Sequence, residues 1–94
     1  SNLEDNTKRL SQQRQSFQAE LVEVESALDN IDDSKPTYKL LGNFLVKKES
    51  EDVEEELQQK QKVLSRRIKA LKKKQEEAQE KIDDLQSEIM KEAE

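Results

Sequence analysis

The groups able to do chemistry in this 94-residue chain are carboxylates and amines, because it contains no His and no Cys. The densest acidic run is Glu49–Glu56 (ESEDVEEE). Such a run can hold Ca²⁺, but it lacks the Gly-turned loop that an EF-hand requires. Acids at the positive end of a helix dipole explain it better. The adjacent pairs Glu76-Glu77 and Asp83-Asp84 read as helix-surface charge, with no pocket to perturb their pKa values. The expectation is therefore no catalytic residue, no metal, no cofactor and no enzymatic activity.

A second constellation is basic. Lys60–Lys74 holds Lys60, Lys62, Arg66, Arg67, Lys69, Lys72, Lys73 and Lys74 with no acid among them. A basic helical stripe can be a nucleic-acid footprint. Here the chain carries a net charge of −5 and the stripe has no aromatic residue on which bases could stack. Charge pairing with a neighbouring acidic helix and solvation is the favoured reading, and no nucleic-acid partner is expected.

The elements that carry these groups follow from composition and periodicity. Charged residues make up 41% of the chain and hydrophobic ones 31%, which allows either disorder or an extended coiled coil. Periodicity selects the coiled coil. Leu3, Leu10, Phe17, Val24 and Ile31 recur every seven residues, joined by Leu21 and Leu28 on a second seam that weakens upstream to Arg14 and Thr7. A first helix is expected over 1–33, ended by Asp32-Asp33-Ser34-Lys35-Pro36. A second is expected over 50–92 with Ser50 as N-cap, its seams running Leu57, Leu64, Leu71, Ala78, Leu85 and Gln61, Ile68, Gln75, Ile82, Ile89. Some 40 helical residues would be about 60 Å long. Gln61 and Gln75 are polar seam residues, read either as register markers or as a loose, solvated stretch of seam.

Between the helices, Tyr38, Leu40, Leu41, Phe44, Leu45 and Val46 flank a Gly42-Asn43 turn, the signature of a β-hairpin over 37–48. A lone hairpin is marginal in water and leaves both edges unpaired. Nothing else in the sequence reads as a strand, so the hairpin predicts assembly with other chains.

A hairpin reverses the chain, so the helices should pack antiparallel. Matching Leu28 to Leu57 gives Leu21–Leu64, Arg14–Leu71 and Thr7–Ala78 on one seam, and Val24–Gln61, Phe17–Ile68, Leu10–Gln75 and Leu3–Ile82 on the other. Leu85, Ile89 and Met90 then run beyond the partner helix as an unpaired apolar patch, the mark of an interaction site; Met90 adds a flexible side chain. The chain opens Ser1-Asn2 without Met, which is compatible with a processing scar, and in that case the natural N-terminus would be longer. Upstream residues covering Leu85 and Ile89 are the alternative to exposure. No apolar run reaches membrane-spanning length, no membrane partner is expected, and the lack of Cys fits a cytoplasmic location.

The stretch Pro36-Thr37-Tyr38-Lys39-Leu40-Leu41-Gly42-Asn43-Phe44-Leu45-Val46-Lys47, continued in Leu64–Leu71 and Gln75-Glu76-Glu77, resembles the β-class subunits of prefoldin, a hexameric co-chaperone of archaea and eukaryotes. The resemblance is strong over about two thirds of the chain, and one hairpin rather than two points to the β class. It implies a mainly α fold, a long antiparallel two-helix coiled coil whose hairpin joins other subunits in a β-barrel platform. Two α-class and four β-class subunits would form the hexamer. Tyr38, Leu40, Leu41, Gly42, Phe44, Leu45 and Val46 would serve assembly, and Leu3, Ile82, Leu85, Ile89 and Met90 would form a client-binding tip. The implied function is that of an ATP-independent holdase, which binds unfolded polypeptides and delivers them to a group II chaperonin. A structural coiled-coil oligomerisation protein without client binding is the alternative, and a polyanion binder using Lys60–Lys74 is a third reading.

Overall fold

The structure, a computed structural model, describes residues 2–93. It runs α1 (Asn2–Asn30), β1 (Thr37–Leu41), β2 (Phe44–Lys48) and α2 (Ser50–Ala93). The two strands form an antiparallel, two-stranded sheet. The chain divides into two compact units, one of Ser1–Gln18 with Arg66–Glu94 and the other of Ala19–Ser65.

In the first unit, Leu10, Leu71 and Ala78 are buried, while Leu3, Thr7, Arg14, Phe17, Ile68, Gln75 and Ile82 are half-buried. The Arg67 guanidinium lies 5.6 Å from the centre of the Phe17 ring, and Arg14 Nη1 donates to Gln75 Oε1 at 2.9 Å. Leu3 and Ile82 line one concavity. As numbers fall along α1 they rise along α2, so the helices of this unit pack antiparallel at the offset the heptads predict. The seam is polar at Gln75, and the hydrogen bond from Arg14 satisfies its carbonyl.

In the second unit the core is Val24 and Leu64, flanked by half-buried Leu21, Leu28, Leu57 and Gln61. Lys60 Nζ stands 3.3 Å from Glu20 Oε1, a pairing between acidic α1 and the start of the basic stretch of α2, of the kind expected from the sequence. Being largely exposed, it contributes little.

α1 stops at Asn30, short of the boundary at 33 expected from sequence. The Asn30 side-chain amide donates to the Ser26 carbonyl at 2.7 Å, a local side-chain bond within the last turn. The Asp32 carboxylate then accepts the Ser34 N–H (2.9 Å) and hydroxyl (2.6 Å), and its carbonyl accepts the Lys35 N–H at 3.0 Å. This local turn competes with a further helical turn and holds the Asp32 carboxyl below its ordinary pKa, the Ser34 hydroxyl having the largest effect. The N-cap expected at Ser50 is also corrected. The Glu49 carbonyl accepts from the Asp52 and Val53 N–H groups (3.1 and 3.2 Å), which puts the cap at Glu49. The Ser50 hydroxyl meets Thr37 Oγ1 at 2.8 Å instead, and so ties α2 to β1.

The hairpin turn is decided by one backbone angle. Gly42 has φ +59°, and among the described residues no non-glycine has positive φ, so Asn43 does not. Positive φ at the first central position alone is the type II′ pattern, whose twist suits a two-residue hairpin. No helix is long and apolar enough to cross a membrane among the described residues.

Candidate functional site

Strand register sorts the hairpin side chains into two faces. Thr37, Lys39 and Leu41 stand opposite Lys48, Val46 and Phe44, and Tyr38 and Leu40 stand opposite Lys47 and Leu45. Alternate residues point to opposite sides. The first face is partly covered, with Thr37, Lys39 and Val46 half-buried. It is tied to α2 by the Thr37–Ser50 contact and by Lys39 Nζ on Glu56 Oε1 at 2.5 Å. The second face is open: Tyr38, Leu40 and Leu45 are 55%, 66% and 70% exposed. Phe44 and Leu41 beside the turn are exposed as well.

The hairpin thus presents apolar side chains and two outward strand edges of unpaired backbone groups together, a template for further strands. Every residue that the sequence marks for assembly lies on it, with Gly42 setting the turn and Val46 the least exposed.

Lys39 also organises charge. Its hydrogen bond holds the Glu56 carboxyl below the ordinary glutamate range, helped by its own charge and by the fields of Lys48 and Lys60. Within the acidic run, Glu56 is paired to the sheet, and Glu49 caps α2 through its backbone carbonyl. Among the described residues no group of three or more acidic side chains converges as a metal site. The basic stretch is divided too: Lys60 meets Glu20, and Arg67 covers Phe17.

The second surface lies in the first unit. Leu3, Ile82, Leu85 and Ile89 line one shallow concavity of about 200 Å³, edged by Glu4 and Gln86. Leu85 is 46% exposed and Ile89 64%. Four of the five apolar residues that the sequence assigns to this end are thus brought together. Met90 is highly exposed but does not line the concavity, because one residue along a helix turns the side chain by about 100°.

Sequence reading missed the surface next to it. A larger groove of about 570 Å³ runs between α1 and α2 of the same unit and shares Glu4 and Ile82 with the apolar concavity. Its walls are mainly carboxamides and hydroxyls, including Gln12, Gln15, Gln75, Gln79 and Ser11. The signal was present in the glutamines of α1, but off-seam glutamines read as ordinary helix surface until the register sets them opposite Gln75 and Gln79.

Comparison with known proteins places these surfaces in context. A family profile described as "Prefoldin subunit" matches residues 1–94. The chain is 38% identical to prefoldin subunit beta of Archaeoglobus fulgidus over 80 residues, covering 82% of this chain and 69% of that one. It is 37% identical to prefoldin subunit beta of Pyrobaculum neutrophilum, covering 84% of this chain and 65% of the relative. The chain therefore spans about two thirds of the length of these relatives. The crystal structure of the prefoldin beta subunit from Thermococcus strain KS-1 superposes with a TM-score of 0.89 at 30% identity, over 96% of this chain and 82% of that one. The beta2 subunit from the same source, at 23% identity and a TM-score of 0.78 over 88% of this chain and 92% of that one, shares the fold.

Proposed function

This chain belongs to the prefoldin subunit family, similar to its β class, and from that membership we propose that it acts as an ATP-independent holdase subunit. Prefoldin subunits are chaperone cofactors that assemble with one another, and the exposed hairpin is the joint for that assembly. In the proposed complex, two α-class and four β-class subunits close their hairpins into a β-barrel platform. Closure removes the unpaired edges and buries Tyr38, Leu40 and Leu45. Leu3, Ile82, Leu85, Ile89 and Met90 hold unfolded polypeptides, which pass to a group II chaperonin. No catalytic step is involved, and the cytoplasm is the proposed location.

The observation that carries this reading is the pairing of two exposed apolar surfaces in one chain, the hairpin and the Leu3–Ile82–Leu85–Ile89 concavity. Each concavity is small and its contacts weak. Several on one platform raise the effective concentration, and avidity then exceeds a single contact by about 10²–10⁴. Capture thus depends on assembly.

Removing about the last ten residues, from Leu85 onward, tests the proposal. The complex with an α-class partner should retain its subunit stoichiometry by native mass spectrometry and lose suppression of aggregation of a denatured client. Retained suppression overturns the assignment of the binding end. A concentration-dependent dimer that ignores the α-class partner in sedimentation supports a purely structural coiled coil instead.

A further inference from the structure

The polar groove beside the apolar concavity has a chemistry of its own. In a chain that is 41% charged, Glu4 and Lys8 are its only charged lining residues, and they are of opposite sign. The rest offers amide and hydroxyl groups whose hydrogen-bonding capacity is only partly used. Gln75 receives Arg14 on its carbonyl, which leaves its NH₂ to donate. Gln79 donates to Asp83 at 3.0 Å, which leaves its carbonyl to accept. The side chains of Gln12 and Gln15 bond to no other group among the described residues, so each carboxamide presents both a donor and an acceptor.

A near-neutral wall with donors and acceptors side by side does not suit an ion or a polyanion. It suits a group that itself alternates N–H and C=O, which is an extended peptide backbone. Scale agrees. From Glu4 to Gln15 the α1 wall rises about 16 Å, enough for roughly five residues of extended chain. The groove also meets the apolar concavity at Glu4 and Ile82, so a polypeptide seated in one runs directly into the other.

We propose that the groove lined by Gln12, Gln15, Gln75 and Gln79 binds the main chain of an extended, unfolded polypeptide next to an apolar side chain held at Leu3, Ile82, Leu85 and Ile89. The inference rests on the holdase reading and adds to it a recognition of backbone that is independent of client sequence. Main-chain hydrogen bonds are open to a client only while it is unfolded, because a folded protein satisfies them internally. The groove thereby distinguishes an unfolded chain from a folded protein with a surface apolar patch.

The test uses the chain assembled with its α-class partner and three labelled synthetic peptides. One carries an apolar anchor alone, one carries the anchor with a five-residue Ser/Gly tail, and one carries the same tail N-methylated along its backbone. The free tail should tighten binding by about tenfold, the size of two ordinary hydrogen bonds, and N-methylation should abolish the gain. The Gln12→Ala/Gln15→Ala variant, altered at two exposed positions, should lose the gain while binding the anchor alone as before. Leu85→Ala/Ile89→Ala should weaken all three peptides. Binding that depends on the anchor but ignores the tail overturns the groove and leaves the holdase reading intact. A tail effect lost in Gln12→Ala/Gln15→Ala but indifferent to Leu85→Ala/Ile89→Ala supports the groove and overturns the apolar end. Binding of none of the peptides overturns both.

Discussion

Arg14 and Gln75 meet across the helix seam of the first unit, the guanidinium Nη1 donating to the carboxamide Oε1 at 2.9 Å, both side chains half-buried. Each is a polar residue at a position the heptad reserves for an apolar one. In register Arg14 faces Leu71 and Gln75 faces Leu10, so the bond runs diagonally between adjacent layers. A shift that separates the two would leave both half-buried polar groups without this bond. The pair therefore acts as a register lock of the kind that single polar seam residues provide in coiled coils.

Replacing one partner should cost more than replacing both. Arg14→Leu or Gln75→Leu leaves a half-buried polar group unsatisfied and should lower stability by about 1 kcal/mol each. The double variant Arg14→Leu/Gln75→Leu should regain most of that loss, with a measurable coupling in a double-mutant cycle followed by thermal unfolding. Additive effects of the two single changes would show that the bond carries no energy of its own.

The thin core should concentrate stability in few residues. Leu64 is 2% exposed, and Leu64→Ala should cost about 2–4 kcal/mol through lost burial and a residual cavity. Val22, 65% exposed on the other side of α1, should tolerate Ala within about 0.5 kcal/mol. Thermal midpoints of the two variants, read by circular dichroism in the same assembly, check the contrast.

Gly42 should be intolerant of a side chain although nothing crowds it. No atom lies within 4 Å of where a Cβ would stand, but φ is +59°. Gly42→Ala should therefore destabilise the hairpin by about 1 kcal/mol from backbone strain alone, and Gly42→Asn by less. The readout is the thermal midpoint of each variant alongside its yield of assembled complex.

Acid should loosen the hairpin from α2. The Glu56 carboxyl is held below its ordinary pKa, mainly by the Lys39 hydrogen bond. A depressed folded-state pKa contributes stability that is present above the unfolded value and lost as pH falls through the folded one. Thermal midpoints of the parent and of Glu56→Gln should differ at neutral pH and converge as pH drops through and below the ordinary carboxylate range. A constant gap down to low pH would mean that charge plays no part in the contact.

Much of this protein was legible before folding. Sevenfold spacing of Leu3, Leu10, Phe17 and Val24 and of Leu57, Leu64 and Leu71 identified two helices, because a coiled-coil seam depends only on local period. Pro36 and the Gly42-Asn43 pair placed the hairpin, because turn chemistry is also local. One offset then predicted the cross-helix layers, including Leu3 at Ile82, which line a common concavity.

Tertiary structure decided what local pattern leaves degenerate. Ser50 had the composition of an N-cap, yet the proximity of Thr37 redirected its hydroxyl and left the cap to the Glu49 carbonyl. Asp32 and Asp33 were compatible with a helix until the Ser34 hydrogen bonds closed a turn. Glutamines at 12, 15 and 79 were anonymous surface residues in one dimension, and Gln75 was only a polar position of the seam. Only the packing of α1 on α2 in the first unit lines them along one groove, since which amide faces which depends on the relative rotation of two helices and not on the period of either.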